Sequence, residues 1–100
     1  MTLTVSEFDR VARLGTFAAE LLVNENFRDV IKGLKEDAIL GWTNAKSADE
    51  REGFWRDMQA VGRLENALKT LKQNYHVEQA KHEAAQEKKN RQAYREAVRG

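Results

Sequence analysis

The segment from residue 88 to residue 100 holds the side chains of this sequence that are best suited to bind a charged ligand. Five cations face a single acid there, Glu96, so the segment carries a net charge of +4. The three arginines recur every four residues and would share one face of a helix. Such a face can neutralise phosphates of a nucleic acid. We call its five cations the basic stripe: Lys88, Lys89, Arg91, Arg95 and Arg99.

A structural role explains the same charges equally well. Cations near a helix C-terminus complement the helix dipole and keep an exposed end hydrated. The residues just before the stripe are mixed in sign, which dilutes the positive field. The sequence therefore leaves two interpretations open: a solvated helix end, or a surface for an acidic partner or nucleic acid.

Histidine and carboxylate side chains near the start of the same segment raise the question of a metal site. Glu78 and His82 are four residues apart and can share a helical face. His76 lies six residues before His82, however, and would point elsewhere, with no third ligand fixed by the spacing. We expect a solvated helix and no metal.

Catalytic and cofactor motifs are not found in the sequence. Adjacent acids such as Asp49 and Glu50 cap or solvate a helix and do not face a common substrate. The six glycines are dispersed, which excludes glycine-rich phosphate and dinucleotide loops. We therefore expect no enzyme activity and no cofactor.

Composition limits how the protein can act. The chain has 100 residues, no cysteine and a net charge of +1, so it forms one small domain without disulfides and is too balanced to bind polyanions over its whole surface. It contains no apolar run of about 20 residues and no signal-peptide pattern at its start. We expect a cytoplasmic protein that has no membrane partner.

The local patterns predict an all-α fold. There is no proline, and capping boxes begin at Thr4 and at Ser47, where Glu7 and Glu50 follow three residues later. The turn-forming Asn24 and its neighbours interrupt the first pattern. The sequence thus predicts a helical hairpin with a long third helix and an additional N-terminal helix. The predicted core covers residues 1–75, with helices at about 5–23, 27–44 and 48–75, and residues 76–100 continue the third helix as a basic extension or tail.

An apolar stripe on the third helix predicts an interaction surface. With Phe54 at a heptad a position the pattern continues to Tyr75 and fails at Glu78 and His82. A helix of this length exceeds any core that one copy can build, which favours association with further copies. Packing against the first two helices would explain the stripe as well. The residues assigned to an oligomer or partner interface are Phe54, Trp55, Met58, Val61, Leu64, Leu68, Leu71 and Tyr75.

Several short segments carry a resemblance to a known group of proteins. They are Leu21-Leu22-Val23-Asn24-Glu25-Asn26-Phe27, Trp42-Thr43, Asp49-Glu50-Arg51-Glu52 with Trp55, and the leucines Leu64, Leu68 and Leu71. Over about residues 17–75 the chain resembles small helical proteins of the head and packaging gene clusters of tailed phages and gene transfer agents. Some of these are similar to small terminase subunits. The resemblance implies a homo-oligomer, a double-stranded DNA partner and a large terminase subunit as a second partner.

Two functions follow as expectations. The first is a non-enzymatic DNA-packaging or head-assembly adaptor that acts in the host cytoplasm. The N-terminal helix-turn-helix of a typical small terminase is not evident, so DNA contact is expected through the basic stripe or a ring channel. The alternative is a helical protein–protein interaction module, such as a regulator, an inhibitor or a structural head component, without DNA binding.

Overall fold

Within residues 2–99 the chain forms three helices, and each begins where a side chain caps it. The computed structural model describes residues 2–99, with α1 at Val5–Val23, α2 at Glu25–Asn44 and α3 at Ala48–Arg99. The Thr4 hydroxyl accepts a hydrogen bond from the Glu7 amide at 3.2 Å, and the Ser47 hydroxyl accepts one from the Glu50 amide at 3.1 Å. The predicted all-α fold, with a long third helix packed against the first two, is confirmed.

A single residue separates α1 from α2. The backbone of Asn24 is extended, and its amide donates to the Leu21 carbonyl at 3.0 Å, which ends α1. Its side-chain Oδ1 accepts from the Phe27 amide at 2.8 Å, which starts α2. The second helix therefore begins at Glu25 and not near residue 27, because one asparagine caps both helices.

The first two helices lie end to end along α3 and run antiparallel to it. Phe54 in the first part of α3 packs on Gly41 of α2, and further along Tyr75 packs on Gly15 of α1. Both helices pack mainly on α3 and much less on each other. The chain is therefore a hairpin of two long rods. One rod is α3, and the other consists of α1 and α2, which are separated by the Asn24 cap.

The pairing extends beyond the predicted end of the apolar stripe. Phe8 of α1 stacks on His82 with ring centroids 5.2 Å apart. His82 therefore packs on α1, although the heptad pattern has only polar residues at this point of α3. α3 itself continues without a break through residue 75 to Arg99.

The hydrophobic core is thin. The molecule measures 81 × 28 × 18 Å, and its radius of gyration is 22.0 Å, against about 13 Å for a compact domain of this length. Within residues 2–99 the buried hydrophobic side chains are Ala18, Ile31, Ala38 and Leu68. Most of the remaining apolar surface is only partly covered.

Candidate functional site

The basic stripe occupies a free helix end. The N-terminal part of the chain reaches along α3 as far as Ala85, which lines a cavity of about 450 Å³ together with Phe8 and His82. Beyond that point α3 continues for roughly 20 Å with no other described helix beside it. Every residue from 80 to 99 is exposed. All five cations of the stripe are therefore open to solvent.

The helix brings four of the five cations together. At about 100° per residue, Lys88, Arg91, Arg95 and Arg99 fall within an arc of about 80°, while Lys89 lies about 100° round from Lys88. Arg91 donates to Glu87 at 2.6 Å, in a pair whose side chains are both largely exposed. Such a surface pair costs little to open. The stripe is thus a continuous cationic face whose one described ion pair can be replaced by a phosphate.

Most of the predicted interface residues face inward. Leu68 is buried, whereas Phe54, Met58, Val61, Leu71 and Tyr75 are partly buried. Two of these side chains pack closely on glycines: a β-carbon added at Gly41 would meet the ring of Phe54, and one added at Gly15 would meet the β-carbon of Tyr75. Packing within one chain therefore covers Leu68 and part of the other five side chains, in keeping with the interpretation that the stripe packs against the first two helices.

The other two predicted interface residues point outward. Trp55 is 52% exposed and Leu64 is 46% exposed. At the turn end of the hairpin Trp42 is also half-exposed. These side chains stay open because the hairpin has only two rods and leaves both flanks of the seam uncovered.

The two flanks of the α2–α3 seam differ in chemistry. On one flank Lys35 of α2 pairs with Glu65 of α3 at 2.6 Å, beside Lys32 and Lys69. The helical repeat places Leu34 and Leu64 on the opposite flank, where they are 47% and 46% exposed. The second flank is apolar and carries no described ion pair between helices.

We call this second flank the apolar side. Val30 of α2 lies one turn before Leu34 and is 60% exposed, and Phe17 of α1 is 53% exposed on the same side of α3. Spacings of three and four residues between apolar side chains, as from Val30 to Leu34, are typical of a buried helical stripe, so the sequence pattern alone does not reveal their exposure. The sequence of α2 does contain an indication of this exposure. Its apolar residues span an arc of about 120°, with Val30 at one edge and Trp42 at the other, and one neighbouring helix does not cover both edges. The apolar side consists of Phe17, Val30, Leu34 and Leu64.

Histidine and acidic side chains do not cluster into a metal site in the described part of the chain. No group of three or more histidine and acidic side chains within residues 2–99 is placed to hold an ion. His82 is engaged with Phe8, and His76 lies beside the ring of Tyr75. No helix within those residues has the length and apolarity required to cross a membrane.

Comparison of the chain with protein-family models, with curated proteins and with solved structures finds no match.

Proposed function

We propose that the protein is a non-enzymatic, self-associating adaptor of DNA packaging or head assembly, similar in role to a small terminase subunit. The observation that carries this proposal is the uncovered basic stripe at the free end of α3. DNA would bind there, and a large terminase subunit or another head protein would bind the assembled oligomer. The site of action would be the cytoplasm of the host cell.

The geometry of the stripe suits double-stranded DNA. A single helix about 10–12 Å across fits the major groove, which is about 12 Å wide. Arginine side chains on its exposed face can reach the phosphates on either wall. Since phosphates are identical in every sequence, binding through these contacts would be strong at low salt and nearly independent of DNA sequence.

The exposed surface of the chain supports self-association. The accessible area is 8369 Å², whereas a compact monomer of 11.5 kDa exposes roughly 5,800 Å². Small domains with a thin core commonly gain stability by oligomerising. An isolated copy would leave half-exposed leucine and aromatic side chains in water.

The test combines solution mass with DNA binding. We expect light scattering to show an oligomer at micromolar concentration. Fluorescence anisotropy with labelled duplexes of unrelated sequence should give similar dissociation constants that rise steeply between about 50 and 200 mM salt, as phosphate contacts require. A monomer, or a protein indifferent to DNA at low salt, would overturn the proposal.

One observation favours the alternative, a protein–protein interaction module. The turn end of the hairpin exposes Trp42 and Trp55 in a segment, residues 36–57, that has six acids against three bases. Aromatic side chains within a negative segment suit a basic protein partner better than DNA. An oligomer that ignores DNA but loses a bound head protein when Trp55 is replaced by alanine would establish this alternative.

A further inference from the structure

The apolar side of the hairpin is a continuous surface on both rods. The contact of Gly15 with Tyr75 fixes the register of α1 along α3, and the contacts of Lys35 with Glu65 and of Gly41 with Phe54 fix that of α2. With α2 placed midway between its two contacts, Phe17 lies near the level of residue 73, Val30 near residue 67 and Leu34 near residue 64. The exposed apolar side chains are thus centred on Ala67, which is itself exposed.

We infer that a second copy of this chain covers the apolar side, packed antiparallel, with a two-fold axis passing close to Ala67. The axis would place α3 on the partner's α3, and α1 and α2 on the partner's α1 and α2. Leu34 and Phe17 lie on opposite sides of the axis, at about 4.5 Å and about 9 Å from it along α3, so each Leu34 would lie within one helical turn of the Phe17 of the other copy. The patch is therefore complementary to itself, as a two-fold interface requires.

The sizes of the side chains along α3 fit this pairing. Along the face of α3 that carries Leu64, small and large residues alternate as Ala60, Leu64, Ala67 and Leu71. In an antiparallel pair centred on Ala67, each Leu64 packs near the Leu71 of the other copy. The small side chains of the two Ala67 residues lie between these leucine pairs and allow the two helices to approach closely at the axis.

The elongated chain exposes more surface than a dimer interface requires. It exposes roughly 2,500 Å² more than a compact monomer of its mass. A standard interface removes about 800 Å² from each partner. The excess is about three times this area, so it accommodates an interface on the hairpin in addition to the free end of α3, which stays in water.

The distribution of charge along the chain favours antiparallel over parallel packing. Residues 36–57 at the turn end carry six acids against three bases, whereas residues 88–100 carry a net charge of +4. A parallel pair would bring the two negative ends together and the two positive ends together. The antiparallel pair separates them and leaves the two basic stripes about 80 Å apart at opposite ends of the dimer.

Site-specific crosslinking tests the pairing. The chain has no cysteine, so each introduced cysteine is unique. We expect Ala67→Cys to form a disulfide dimer on mild oxidation, and a mixture of Ala60→Cys with isotope-labelled Asn74→Cys to form the mixed dimer, identified by mass. Ala60→Cys alone should not dimerise, because its two copies would lie about 21 Å apart, beyond the reach of a disulfide. Asn66→Cys, on another face of α3, is the matched control.

Each result supports or overturns the inference. All four positions are exposed, and circular dichroism establishes that the variants remain helical. Efficient dimers of Ala60→Cys alone would show parallel packing, equal dimers of Asn66→Cys would show unspecific collision, and failure of Ala67→Cys would remove the axis. The inference rests on the self-association proposed above but needs no DNA. Loss of DNA binding with the crosslinks intact would therefore overturn only the proposed function.

Discussion

Gly15 of α1 lies directly against Tyr75 of α3, and a β-carbon at Gly15 would run into the β-carbon of the tyrosine. The same added carbon would lie 3.0 Å from the carbonyl oxygen of Leu71. Both obstacles belong to or adjoin the α3 backbone, so a side-chain rotation cannot remove them. The close approach of α1 to α3 therefore depends on this glycine.

Replacing Gly15 by alanine should lower the free energy of unfolding by about 1–3 kcal/mol through overpacking. Gly33 provides the matched control, because an added β-carbon there meets nothing within 4 Å. Gly33→Ala should raise stability by up to about 1 kcal/mol through helix propensity alone. Urea unfolding at one fixed protein concentration measures both, and equal effects at the two sites would contradict the packing.

Leu68 and Leu64 on α3 differ in burial, so their replacement tests the core and the outer surface separately. Leu68 is 5% exposed, and its replacement by alanine should cost about 2–4 kcal/mol of folding stability. Leu64 is half-exposed, so Leu64→Ala should cost less than about 1 kcal/mol within one copy.

The same pair of variants reports on association. Leu64→Ala should shift the monomer–oligomer equilibrium toward monomer, measured by sedimentation at several concentrations, because its side chain belongs to the proposed dimer surface. An unchanged equilibrium would exclude Leu64 from that surface. A loss of folding stability as large as that of Leu68→Ala would show instead that Leu64 belongs to the core.

The Asn24 cap between α1 and α2 can be tested by substitution. Asn24→Ala removes the acceptor of the Phe27 amide and should destabilise the protein by about 1 kcal/mol. Asn24→Asp keeps a capping oxygen and should retain most of the stability. Thermal unfolding followed by circular dichroism compares the two. Equal melting temperatures for alanine and aspartate would mean that the side chain does not cap α2.

The ion pair between Lys35 and Glu65 joins α2 to α3, and its side chains are 46% and 25% exposed. A double-mutant cycle with Lys35→Met and Glu65→Gln should give a coupling energy of about 0.5–1 kcal/mol. Because the pair is partly solvated, the coupling should shrink in about 1 M salt. Coupling that stays constant with salt would indicate a contact that is not ionic.

The basic stripe can be tested by charge-matched variants. Arg91→Gln, Arg95→Gln and Arg99→Gln together should reduce the slope of log K against log salt by about 3, at roughly 0.9 per lost phosphate contact. Replacing Arg51, Arg56 and Arg63 by glutamine removes the same charge from exposed positions elsewhere on α3. This control should leave the slope nearly unchanged. Equal reductions would assign DNA binding to net charge and not to the stripe.

The helical fold can be predicted from the amino-acid sequence because helix signals are local. The Thr4 and Ser47 hydroxyls accept hydrogen bonds from residues three positions away, and the starts of α1 and α3 follow from such short-range contacts. The basic stripe needs only the helical repeat of residues 88–99 to share a face. Neither feature depends on which helix lies beside which.

Which apolar residues are covered depends on how the three helices pack against one another. Leu64 and Leu68 are both leucines of the same predicted stripe, yet one is half-exposed and the other buried, because the lateral position of α2 on α3 is set by distant contacts. The packing of His82 on Phe8 likewise needs the antiparallel register of α1, which joins residues 74 positions apart. Periodicity gives the width of an apolar face, but only the neighbouring rod determines which part of that width remains open to a partner.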